Sequence, residues 1–307
     1  MGERGGGKAV THGHVAPMSE IRCVVNPQAL VGEGPVWDDR RQVLWWIDVK
    51  NPRLFRYKPA SGDNREFVMP ERIGCVALRA GGGLIGALLS GFKWINPETG
   101  DVTPITDPEP ERPGNRFNDG KCDRRGRLFA GTMDNAEIEC TGTLYRLDPD
   151  LSVHVMCTEV HLSNGLGWSP DDRVLYYTDS LRRTIWAYDF DLATGAIDHP
   201  RVFARVPDEA GVPDGLCVDA EGHVWSAHWG GWRLTRYAPD GRIDRVVDMP
   251  VPQPSCPAFG GADLDVLYIS SAAIGMTQGE HARAPDGGGL FALDVGVRGL
   301  PVGHFGG

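Results

Sequence analysis

A short strand-like pattern recurs six times along this 307-residue chain, and no other feature restricts its fold as tightly. Each copy is a polar turn rich in Asp, Gly or Arg followed by apolar residues: DDRRQVLWWID, RAGGGLIGAL, DRRGRLFAG, PDDRVLYYTD, DAEGHVWSAH and GADLDVLYIS. Their first strongly apolar positions are Leu44, Leu84, Leu128, Leu175, Val224 and Leu267, separated by 40, 44, 47, 49 and 43 residues. A period of this length fits a four-stranded propeller blade. After most copies comes a second alternating segment, such as RLFRYKPASG or TLYRLDPDL, which reads as another half-buried strand with its hairpin turn. The spacing predicts an all-β, six-bladed β-propeller; a two-sheet sandwich would need the interval to be accidental. Four-stranded sheets of this kind bury both faces only against neighbours, so the ring must close. The isolated β-prone run from Ile21 to Val25 is the expected closing strand.

Composition agrees with this architecture. Forty-one Gly, 23 Pro and nine Trp point to many turns and short aromatic-rich strands. A net charge of −10 without any Lys/Arg run argues against nucleic acid as a partner and favours a small neutral or cationic one. The seven Cys include no Cys-x-x-Cys pair and are odd in number, so free thiols are expected rather than a disulfide framework. Residues 1–18 lack the apolar stretch of a signal peptide, and no later segment reaches the length of a membrane span. A cytoplasmic protein with no membrane partner is the expectation. The tail 1–18, with its glycines and His12/His14 pair, is expected to be disordered, with Met18 an alternative start; residues 19–307 form a single propeller domain.

In a propeller the strand before each anchor lies nearest the axis, so equivalent positions there converge on the central channel. Glu33, Asn118, Asn164 and Asp214 stand 10 or 11 residues before their anchors. The second and sixth units have Gly74/Cys75 and Ser255/Cys256 instead. Taken singly, Asn or Asp beside Gly is an ordinary turn former. Four in register form a cluster of oxygen ligands from distant segments. Two carboxylates and two carboxamides make a hard site for Ca²⁺, Mg²⁺ or Mn²⁺, and Zn²⁺ or Fe²⁺ are admitted as well.

The motifs GEGPVW, NRFNDGK, GRLFAGTM, SNGLGWS, YYTDS, PDGLCVDAEGHVW and CPAFGG together resemble the senescence marker protein/regucalcin, gluconolactonase and luciferin-regenerating enzyme family over about residues 19 to 307. The resemblance implies a six-bladed propeller with one divalent metal held by Glu33, Asn164 and Asp214. It further implies that Arg116 and Asn118 bind sugar hydroxyls, and that the substrate is a small sugar lactone such as gluconolactone, xylonolactone or arabinonolactone. Asp214 is then the candidate catalytic base, being both ligand and proton acceptor. The loop after Met133, DNAEIECTGTL, departs from the pattern of some animal relatives. Asp134 or Glu137 there is a candidate for a hydroxyl contact or a solvated loop acid. His228, Trp229 and Trp232 of HWGGW are candidates for the pocket wall or for blade packing. No Gly-x-Ser-x-Gly elbow points to a serine nucleophile. Two alternatives stay open: a non-enzymatic calcium-binding regulatory propeller, and a phosphotriester hydrolase.

Overall fold

Five repeats fold into four-stranded antiparallel meanders whose strands follow one another in chain order, and the sixth sheet takes its fourth strand from near the start of the chain. The computed structural model describes residues 20–307; the tail 1–18 and its His12/His14 pair lie outside the described residues. Blade 1 is built from Gly32–Asp38, Val43–Asp48, Arg53–Lys58 and Asp63–Val68. The inner strands of blades 2 to 6 are Ile73–Leu78, Asn115–Cys122, Ser163–Trp168, Val212–Val218 and Pro254–Gly260. All six anchor residues lie in second strands and are fully buried. Blade 6 closes as expected: Arg22–Val25 pairs antiparallel with Leu290–Asp294, with Cys23 opposite Phe291. The first described strand thus completes the last sheet, and ends that would otherwise splay hold the ring shut.

The core lies between blades rather than within one. Six apolar clusters occur, one at each interface: Trp45, Leu54 and Phe67 meet Val76 and Leu84 between blades 1 and 2, and Trp37, Trp46 and Tyr57 meet Tyr268 and Leu290 between blades 6 and 1. Inner and second strands are covered on both faces and read as continuous apolar runs, whereas outer strands such as Asp63–Val68 expose most of their residues. All seven cysteines are free thiols, four of them buried. Among the described residues no helix is long and apolar enough to cross a membrane.

After its last strand the chain crosses one end of the central channel. Ala220 donates to the Arg298 carbonyl, Gly299 to Leu264, Phe305 to Leu78 and Gly306 to Gly126, so the crossing ties together blades 5, 6, 2 and 3. Phe305 is fully buried at the blade 2/3 interface beside Trp94. Leu300, Pro301 and Val302 leave only a crevice of about 90 Å³ at that end, so a ligand reaches the axis from the other side. Phe305→Ala should therefore lower unfolding stability by about 3–5 kcal/mol in a denaturant titration. A loss below about 1 kcal/mol would mean that the crossing is not part of the packed ring.

Candidate functional site

All six inner strands break register at the same height. The ladder skips Gly34 and Pro35 in blade 1, Gly74 in blade 2, Asn118 and Asp119 in blade 3, Gly165 in blade 4, Asp214 and Gly215 in blade 5, and Ser255 and Cys256 in blade 6. A bulge bends its strand and re-aims the side chains beside it. Six at one level turn one shelf of side chains toward the axis. The glycines there answer to crowding: a Cβ on Gly165 would lie 2.7 Å from the Asp214 carbonyl oxygen, and one on Gly215 would lie 2.4 Å from Cys256 Sγ. Glu33, Arg116, Asn118, Asn164 and Asp214 all line one cavity of about 440 Å³, at the end of the channel opposite the C-terminal crossing.

The carboxylates at the base of this cavity are buried with hydrogen bonds but no cation: Glu33 Oε2 accepts from the Gly34 N–H at 2.9 Å, and Asp214 accepts from Asn164 and the Gly215 N–H. Among the described residues neither Glu33 nor Asp214 has a cationic group within salt-bridge distance, and both are nearly inaccessible. Burial raises the Glu33 carboxyl to about 8, helped by the negative charge of Asp119. The Asp214 carboxyl also rises well above the ordinary range, from burial first and then from Glu33 and Asp119. Asn164 donates from Nδ2 to Ser180 Oγ at 3.1 Å, leaving its buried Oδ1 without a partner. Two uncompensated carboxylates and a free carboxamide oxygen are the donor set a hard divalent cation requires, so the residues present fit such an ion. Asn118 is oriented differently: its Oδ1 accepts from Arg116 Nη1 at 2.6 Å and its Nδ2 donates to the Ser163 carbonyl at 2.7 Å. That places it beside Arg116 as part of a hydrogen-bonding wall. Burial lowers the Arg116 pKa to about 10, and its Nε has no partner.

One residue of the site escaped the sequence reading. Asp119, next to Asn118 in the same bulge, is only 6% exposed, accepts from the Gly120 N–H with Oδ1 and has an unpartnered Oδ2. Burial raises its pKa, with Lys121 opposing. The signal was present in the second acid of FNDGK, at a position that reads as a turn residue. The secondary candidates separate clearly. Trp229 and Glu137 line the cavity. Asp134 does not: its carboxylate accepts the backbone N–H groups of Ala136, Ile138 and Glu139 and so shapes its own loop. His228 is fully buried, donates from Nδ1 to the Ala210 carbonyl at 2.9 Å and is held neutral by burial, which lowers its pKa to about 4. Trp232 packs against the blade 5/6 cluster beneath Arg283. A second acidic group, Asp219, Glu221 and His223, is compact, but Arg236 already binds both of its carboxylates and Asp219 also accepts from Trp225 Nε1.

The raised carboxyls have a measurable consequence. Between about pH 4.5, the ordinary Glu value, and about pH 8, the folded metal-free protein retains protons that the unfolded chain has released, so this site lowers its stability as pH rises through that window. A divalent cation bound there must expel those protons. Calorimetric titration of the metal-stripped protein in buffers of different ionisation enthalpy should show about one or more protons released per cation near pH 6 and fewer as pH rises past the Glu33 value of about 8, with affinity rising in step. Proton release that does not depend on pH would contradict this electrostatic description.

The chain has known relatives. A family model described as SMP-30/Gluconolactonase/LRE-like region matches residues 31–273. Regucalcin of Xenopus laevis is 36% identical over 295 residues, covering 94% of this chain and 99% of the relative. Among solved structures, a calcium-binding protein, regucalcin, from Agrobacterium tumefaciens superimposes with a TM-score of 0.89 at 28% identity, covering 92% of this chain and 96% of that one. A luciferin-regenerating enzyme does so with a TM-score of 0.87 at 28% identity, covering 94% and 99%. With six blades, a shelf of bulges at the axis and a family match over most of its length, the chain belongs to the SMP-30/gluconolactonase/LRE-like family.

Proposed function

We propose that this protein is a sugar lactonase that opens an aldonolactone to the aldonic acid with one divalent cation held by Glu33, Asn164 and Asp214. The observation that carries the reading is the meeting, in one cavity, of unpaired carboxylates with the hydrogen-bonding pair Arg116 and Asn118. Lactone hydrolysis needs a polarised carbonyl, a deprotonated water and a proton for the departing ring oxygen. When bound, a divalent cation supplies Lewis-acid polarisation of the carbonyl and eases deprotonation of water. Asp214 accepts the proton of the attacking water as the new C–O bond forms. It returns that proton to the ring oxygen as the old C–O bond breaks, so no external acid is consumed. Glu33 and Asn164 hold their oxygens on the same shelf. Arg116 and Asn118 align the sugar hydroxyls, turning binding energy into orientation of the ester. A neutral, carbonyl-bonded His228 takes no part, and no nucleophilic side chain is required.

A second reading has one specific support: the relatives named regucalcin, one of them described as calcium-binding, suggest a regulatory calcium protein. Its signature is cation affinity without turnover. On the lactonase reading, Asp214→Ala should lower kcat by at least about 10²-fold in metal-replete buffer while unfolding stays cooperative. Arg116→Gln should act chiefly through KM or kcat/KM, because it removes orientation of the substrate rather than proton transfer. Initial-rate kinetics on a panel of aldonolactones check both; wild-type-like turnover by Asp214→Ala would remove Asp214 from the mechanism.

A further inference from the structure

One sector of the cavity is cationic and unneutralised. Lys50 and Arg116 both line it. Arg72, just before the inner strand of blade 2, stands outside the lining on the loop side, donating to Asn135, and its charge adds to burial in lowering the pKa of each. These three residues come from consecutive blades: Lys50 from the turn after the second strand of blade 1, Arg72 from the approach to blade 2 and Arg116 from the inner strand of blade 3. Among the described residues no carboxylate lies within 4.0 Å of their charged nitrogens. Glu137 offsets Lys50 and Arg116 from a distance and Glu33 adds to this at Arg116, so three cations stand against two acids.

Arg116 departs in this from the chain's other buried arginines, while half-buried ones divide: Arg53 is paired, and Arg79 and Arg233 have no carboxylate within 4.0 Å among the described residues. Arg53 binds Asp48, Arg127 binds Asp123, Arg146 binds Asp148 and Arg236 binds Asp219. Acids are plentiful in a chain of net charge −10, so the three cations are not unpaired for want of partners. They are also held in place. Asp48 fixes the turn bearing Lys50 by accepting the backbone N–H groups of Leu30, Val31, Lys50 and Asn51. Arg72 donates from Nη1 to Asn135 Oδ1 at 2.7 Å, and Arg116 keeps a buried, unpartnered Nε on the cavity wall. Positioned cationic donors that no carboxylate binds directly match an anionic ligand group.

We propose that the substrate is an acidic lactone whose carbon skeleton carries, away from the ester, a carboxylate or phosphate group received by Lys50, Arg72 and Arg116. The inference rests on the lactonase reading and sharpens it. The cations belong to blades 1 to 3, whereas Asp214 belongs to blade 5, so the charged group and the ester occupy different sides of the cavity. A volume of about 440 Å³ accommodates a six-carbon lactone with one such substituent.

The test compares initial rates of the full-length, divalent-replete protein on a neutral aldonolactone, the aldarolactone that differs by a terminal carboxylate, and the terminally phosphorylated lactone. At low ionic strength kcat/KM should be at least about tenfold higher for one of the two acidic substrates, which also identifies the anion, and the preference should shrink as salt is raised. Lys50→Gln and Arg72→Gln should each cut the acidic-to-neutral ratio at least about threefold, and Lys50→Arg should preserve it. Equal or better turnover of the neutral lactone, or a variant effect that is the same on both substrates, would overturn the acidic substrate and leave the lactonase reading standing. Absence of turnover on every lactone would overturn both.

Discussion

The structure depends on how closely six inner strands approach one another around the axis. Each blade is stable only between two neighbours, so the sheets are drawn together until the inner backbones touch; at Gly165 and Gly215 there is no space for even a methyl group. Straight ladders cannot continue through that crowding, and each inner strand gives way at the same height with a bulge. Packing of the ring and orientation of the site are therefore one event. The closing strand Arg22–Val25 and the C-terminal crossing, with Phe305 sealed between blades, keep the ring tight enough for the shelf to exist.

What the shelf presents is chemically unfavourable on its own. Glu33, Asp119 and Asp214 are buried near one another with no salt bridge to Glu33 or Asp214, and their carboxyls resist ionisation accordingly. Local rules of stability are broken at this one level while the interblade clusters remain apolar and well packed. The same contrast appears among the buried arginines: Arg127, Arg146 and Arg236 are paired, whereas Arg116 lines the cavity beside Lys50 with no carboxylate within 4.0 Å among the described residues. Base and wall thus carry opposite charge, a polarity suited to holding a cation at one side of a ligand and an anion at the other.

Much of this was legible in the sequence, for definite reasons. Leu44, Leu128 and Leu175 mark second strands buried on both faces, so their apolar runs survive as a visible period. Glu33, Asn118, Asn164 and Asp214 stood out because a polar residue beside Gly recurs at one offset, and the structure brings all four to one cavity. The outer strands were harder to see: Asp63–Val68 and Ile243–Asp248 face solvent and have the polarity of loops. Asp119 was hidden by its neighbour, since a bulge of two residues gives both an inward path and only one was expected there. Lys50 and Arg72 have no local signature at all, because what distinguishes them is the lack of a partner in three dimensions. His228 shows the opposite limit, a polar residue near the channel in sequence that packs into its own blade.

We propose that the shelf binds one divalent cation and that this cation makes the protein a lactonase. The most direct test is to titrate a divalent cation into metal-stripped protein while following acid release from an aldonolactone panel that includes acidic members. The account predicts negligible turnover without added cation and a rise that saturates at about one equivalent when the cation binds tightly. Saturable binding of one equivalent with no hydrolysis of any lactone, or full turnover in the stripped protein, would contradict it.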